Sequence, residues 1–119
     1  MTFQADVPHQ ADMAARLAPI RAHFVGTLPP RRDRLVMFLA TSGERAPLPA
    51  TMRQLQEDAH KMRGVAPTLG FDALGLAAAR ADEILEPWHD SDALVPLTDA
   101  VVQCLAQLLA EVEKLIVAA

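Results

Sequence analysis

The sequence predicts an all-α fold, an up-down antiparallel four-helix bundle with a short extra helix at its N-terminus. Three observations predict it. Alanine and leucine dominate an apolar half of the chain, while the β-branched and aromatic residues that favour strands are scarce. Apolar residues recur every three or four places in successive stretches, the period of a helix with one buried face. Proline or glycine separates each stretch from the next. At 119 residues the chain suits one domain, residues 1–119, that can bury roughly two-thirds of its unfolded surface.

Residues 1–10 read as an N-terminal arm punctuated by Pro8. From about Asp12 the apolar period runs through Met13, Leu17, Ile20, Phe24 and Leu28, and it resumes at Leu35, Phe38 and Leu39. Pro19 and the Pro29-Pro30 pair each disturb a helix, so a short first helix should run into a longer second one with a restart near Pro29. Thr41-Ser42-Gly43 should end that segment. Residues 43–50 read as a loop, with Pro47 and Pro49 at the start of the third helix, where proline is tolerated. The third helix should reach Leu69, with a seam of Met52, Leu55, Ala59, Met62, Ala66 and Leu69, and stop at Gly70. The fourth should start at Asp72, carry a seam of Leu74, Ala78, Ala81 and Leu85 with Ala77 and Ile84 beside it, and end at Pro87. Trp88 to Asp92 reads as a turn, with Ser91 or Asp92 as the cap of the last helix. That helix carries Leu94, Leu97, Val101, Leu105, Leu108, Val112 and Leu115.

The totals exclude several function classes. A net charge of −4 argues against a nucleic-acid partner, which selects a clustered basic excess. The one basic cluster, Arg31-Arg32-Asp33-Arg34, is short and reads as a solvated face. The single cysteine, Cys104, rules out an intrachain disulfide and sits in an apolar helical pattern. The N-terminus lacks the features of a signal peptide, and no apolar run is long enough to span a membrane. A cytoplasmic protein without a membrane partner is the expectation. Phosphate-binding glycine loops, Gly-x-Ser-x-Gly turns and paired-cysteine motifs are all missing.

The chemistry concentrates between Asp58 and Gly70. On a helix, His60, Arg63 and Gly64 share one face. Neutral imidazole keeps a nucleophilic lone pair at physiological pH. Attack on phosphorus needs an open approach and a cation for the phosphoryl oxygens. Gly64 supplies the approach and Arg63 the charge, with Lys61, about 100° round the helix, an accessory. A glycine within a helix costs about 1 kcal/mol relative to alanine, so a purely structural helix gains nothing from Gly64. His9, His23 and His89 read as surface residues, with His23 partly buried beside Phe24.

His60-Lys-Met-Arg63-Gly64, then Leu69-Gly70-Phe71, then a leucine- and alanine-rich helix ending in acids, resembles the histidine-containing phosphotransfer (HPt) domain. In that family a lysine and a glycine follow the histidine in the next turn, and a second glycine stands ten places after it, where Gly70 falls. Leu28-Pro29 is similar to the Leu-Pro pair of the family's second helix. The resemblance runs from about residue 13 to 117. It implies a phosphoryl group carried on Nε2 of His60 and exchanged with the aspartate of a response-regulator receiver domain, free-standing or in a hybrid histidine kinase. It implies no cofactor on this chain, the magnesium belonging to the receiver. It also implies that Asp82, on the next helix, holds Nδ1–H and so makes Nε2 the nucleophile. The docking surface would be the flank carrying Arg53, Gln56 and Glu57. Two departures stand out: Arg63 replaces the family's lysine, and Pro67 should bend the helix one turn beyond Gly64.

Two other readings stay open at this level. The first is an adaptor bundle that has lost phosphotransfer. The second is a metal-binding bundle built on Glu57-x-x-His60 and Glu86-x-x-His89, the spacing of di-iron helices, with Asp33, Glu111 or Glu113 as further donors.

Overall fold

A computed structural model of the chain describes residues 6–41, 47–90 and 95–119, with side chains from residue 12 onward. It is all-helical: α1 (Asp6–Gly26), α2 (Leu28–Thr41), α3 (Pro49–Val65), α4 (Asp72–Ile84) and α5 (Asp99–Ala118). Short 3-10 turns at Pro67–Leu69 and Glu86–Trp88 follow α3 and α4. Helices α2, α3, α4 and α5 close a ring in which each packs on the next and α5 returns to α2, the four-helix bundle the periodicity predicts.

The seams are where the spacing puts them. Met52, Leu55, Ala59, Met62, Ala66 and Leu69 are all buried, as are Leu74, Ala77, Ala78, Ala81 and Leu85 opposite them. Alanines on facing seams let α3 and α4 approach closely, and this is the most extensive contact in the molecule. Val101, Leu105, Leu108 and Val112 close the core from α5. Burial of each leucine-sized side chain contributes about 1.5–3 kcal/mol.

The N-terminal region differs from expectation. Helix α1 starts at Asp6, so Asp6–Gln10 are helix and not arm, and at 21 residues α1 is the longest helix where a short one was expected. Residues 1–5 lie outside the described residues. Pro19 sits inside α1, and the break falls at Thr27, where Thr27 N–H and Oγ1–H both donate to the Phe24 carbonyl (2.9 and 2.6 Å). Pro29 and Pro30 then occupy the first turn of α2, where a missing N–H loses nothing. The C-terminal half of α1 joins the bundle through one edge: Phe24 is buried and Leu17 and Val25 pack partly against the core, while Met13, Ile20 and His23 are exposed. The Phe24 ring stacks on Phe71 at 5.9 Å, and Arg21 Nε–H donates to the Leu69 carbonyl at 2.8 Å. The remainder of α1 projects, which lengthens the molecule to 65 Å against 26 and 19 Å across.

Three boundaries move for physical reasons. Helix α3 ends at Val65, not Leu69, because Pro67 cannot donate to a preceding turn and opens a 3-10 turn instead. Trp88 is not a surface turn residue: it is buried beside Leu85, its indole N–H without a hydrogen-bond partner among the described residues. Helix α5 starts at Asp99, capped by Thr98, whose Oγ1 accepts from Val101 N–H at 3.3 Å. The caps expected at Ser91 or Asp92, the seam position Leu94, and the stop expected at Ser42-Gly43 lie outside the described residues.

Candidate functional site

Helix α3 carries polar side chains on both flanks of its apolar seam. Toward α2 it presents Asp58, only 4% exposed. Arg34 on α2 grips that carboxylate with both arms of its guanidinium, Nε–Oδ2 at 2.6 Å and Nη2–Oδ1 at 2.7 Å. Gln54 donates to Oδ1 at 3.3 Å, and Arg31 stands 3.9 Å away. The hydrogen bond to Asp58 raises the Arg34 pKa further above its ordinary value. The arginine cluster is therefore not the solvated face its sequence suggests: two of its three arginines are committed to a buried carboxylate.

Toward α4 the same helix presents His60. Its side chain is 75% exposed, and Nδ1 lies 3.0 Å from Asp82 Oδ2. An ionised carboxylate only accepts, so the neutral imidazole donates through Nδ1–H and its lone pair is left on Nε2. Nε2 has no hydrogen-bond partner among the described residues. Asp82 comes from the last turn of α4 and its side chain is only 12% exposed. Arg63 Nη1 donates to the same Oδ2 at 3.3 Å, while Nη2 stands 3.7 Å from Glu83. Burial pushes the Asp82 pKa up, but the hydrogen bonds from His60, Arg63 and Gln56 outweigh it and hold the carboxyl below its ordinary value.

The other residues singled out in the sequence are placed as follows. Lys61 pairs with Glu57 one turn back at 3.0 Å, on the exposed side of α3. At Gly64 an added Cβ would meet nothing within 4 Å, so no neighbour in the fold asks for glycine there. Gly70 has φ +85°, a left-handed conformation that glycine adopts without strain, and it turns the chain from the 3-10 turn toward α4. Pro67 packs against Gly75 of α4, where a Cβ would sit 2.7 Å from Pro67 Cγ. Gln56 lines the floor of the groove between α3 and α4 and is not exposed as its polarity suggests. It is 6% exposed, and its amide is bonded to Asp82 and Glu86 on the α4 side, because its place on α3 turns it into the groove beside the seam.

A cleft of about 500 Å³ opens beside His60, lined also by Arg53, Gln56, Glu57, Asp82, Glu86 and His89. His89, which the sequence offered only as a surface residue or as half of the Glu86-x-x-His89 pair, is brought to this cleft by the 3-10 turn at Glu86–Trp88. The donor sets required by a di-iron site do not assemble: no group of three or more His, Cys, Asp or Glu suited to a metal ion occurs among the described residues. Cys104 is half-buried, and burial raises its thiol pKa, which suits a packing role. Among the described residues no helix is long and apolar enough to cross a membrane.

Searches of the curated proteins and of the solved structures returned no match. The family model of the Hpt domain matches residues 19–115. The chain belongs to the Hpt domain family, whose members are phosphocarrier modules of phosphorelay signalling, working with receiver domains and histidine kinases.

Proposed function

We propose, with membership of the Hpt family as the premise, that His60 is the phosphoacceptor of a multistep phosphorelay. The phosphoryl group shuttles between Nε2 of His60 and the aspartate of a response-regulator receiver domain. The observation that supports this most is the division of labour on one imidazole: Nδ1 is held by Asp82 at 3.0 Å, while the ring is 75% exposed.

In the forward direction the Nε2 lone pair attacks the phosphorus of an aspartyl phosphate. An N–P bond forms, the acyl-phosphate P–O bond breaks, and the receiver aspartate leaves as a carboxylate. No proton moves, because Nδ1–H is already in place. The ring acquires positive character in this step, and the Asp82 carboxylate stabilises it. Arg63 lies on the same face and uses one of its N–H groups on Asp82, with Glu83 3.7 Å away. A guanidinium has five such donors, so others remain for the phosphoryl oxygens, a contact that contributes about 1.5–3 kcal/mol. Lys61 helps from the rim, since its exposed pair with Glu57 is worth under about 1 kcal/mol and is readily given up. Gly64 leaves room for the receiver's active site, and Arg53 and Glu57 meet the receiver surface. The magnesium needed for the chemistry belongs to the receiver, and the protein works in the cytoplasm as a carrier without kinase activity.

Incubation with a receiver phosphorylated on its aspartate tests this. Acid-labile, alkali-stable label should move to the wild-type chain and not to His60→Gln. A complex that forms while the label stays on the receiver would favour the adaptor reading.

A further inference from the structure

Gln56 is the one buried amide on the α3–α4 interface, and its surroundings are unusual. Its Nε2 lies 3.0 Å from the main-chain carbonyl of Asp82, 3.3 Å from Asp82 Oδ1 and 3.0 Å from Glu86 Oε2. All three neighbours are acceptor oxygens, so the atom facing them is the amide nitrogen and not its oxygen. Two N–H groups thus serve three acceptors on the segment that carries Asp82. The two oxygens of Asp82 are thereby separated in role. Oδ1 takes the bond from Gln56, and Oδ2 takes those from His60 and Arg63.

The terminal torsion of an aspartate is broad and nearly two-fold, so an unheld carboxylate swings between its oxygens. A swinging acceptor would hold Nδ1–H of His60 only part of the time. We infer that Gln56 is a positioning residue for phosphotransfer, which fixes the Asp82 carboxylate and through it the tautomer of His60 that leaves the lone pair on Nε2. This inference rests on the reading of His60 as the phosphoacceptor. Gln56 is only 6% exposed, at the lining of the cleft, and its amide N–H groups are engaged by Asp82 and Glu86, so its effect should fall on the rate of the bound step and not on docking.

The test is Gln56→Met, which keeps the length and removes the donors, with Gln56→Leu measured alongside. Nitrogen-15 NMR of the His60 ring reads the tautomer, and transfer from a phosphorylated receiver reads the rate. In the wild type the Nδ1–H form should dominate. In the variants the Nε2–H form should gain, and maximal transfer should fall about tenfold with the half-saturating receiver concentration unchanged. Folded variants with the wild-type tautomer and maximal rate would overturn the inference and leave Gln56 a cross-link between helices. Variants that fail to fold in both cases would overturn it equally, since Gln56 would then act on the fold. The two readings fail separately: a wild-type chain that takes no label on His60 defeats the phosphoacceptor assignment, whereas a labelled chain whose tautomer ignores Gln56 defeats only this one.

Discussion

Asp58 and Asp82 sit at the two contacts that α3 makes, with α2 and with α4, and teach opposite lessons. Both are largely covered carboxylates with arginine and glutamine partners. Asp58 faces α2, and all of its partners are donors that stay within the fold. Asp82 faces α3 and gives one oxygen to an imidazole whose ring is mostly in solvent. The first arrangement is closed and ties two helices together. The second is open at one atom, Nε2 of His60, and only an open atom can react. Two glycines repeat the contrast: Gly75 is pressed against Pro67, whereas Gly64 faces empty space.

Substitutions that exchange these properties should separate stability from transfer. The largest effect belongs to the closed pair. Arg34→Met leaves Asp58 buried with Arg31 at 3.9 Å as its nearest remaining cation. Losing one partner of a buried pair should cost about 3 kcal/mol in urea unfolding, with transfer by the folded fraction retained. Gly75→Ala comes next. The 2.7 Å approach to Pro67 has to be relieved by movement of the 3-10 turn, and calorimetry should register a loss of about 1–3 kcal/mol. Asp82→Asn, at the open pair, should reverse the balance. Transfer from a phosphorylated receiver should drop about 10–100-fold, as for other groups that orient a reactive histidine, while the unfolding midpoint barely moves. At Gly64 the two quantities should take opposite signs: Gly64→Ala gains up to about 1 kcal/mol of stability and loses transfer.

The smallest effect is the pH dependence of the open pair. The Asp82 carboxyl is held below its ordinary value in the folded chain, so folding favours its ionised form. Its contribution to stability is complete above the ordinary carboxylate pKa of about 4 and is lost as pH falls through the lower folded value. Urea midpoints measured downward from about pH 5 should therefore fall less steeply in Asp82→Asn than in the wild type.

Much of this was legible in the sequence, because helix periodicity reports directly which residues face inward. Every seam position expected on α3 is buried, from Met52 to Leu69, although the helix itself stops at Val65. The pairing of Asp82 with His60 was implied by the family resemblance and not by periodicity, and the two side chains lie 3.0 Å apart. Periodicity is silent about which charge meets which. Arg31 and Arg34 looked solvated because the partner that neutralises them lies on the next helix, 24 residues on from Arg34. Gln56 looked like a docking residue for the same reason. Its polarity suggested solvent, but its acceptors are Asp82 and Glu86. Trp88 was missed because a short 3-10 turn carries it inward after α4 has ended. Pro67 starts such a turn and packs against Gly75.

The central claim is that Nε2 of His60, freed by the grip of Asp82 on Nδ1, carries the phosphoryl group. Phosphorus–nitrogen correlation NMR on the chain labelled by a phosphorylated receiver tests it most directly. The account predicts a single phosphohistidine, at His60, with phosphorus on Nε2 and a proton on Nδ1. Phosphorus on Nδ1, or label of equal strength on His60→Gln, would contradict it.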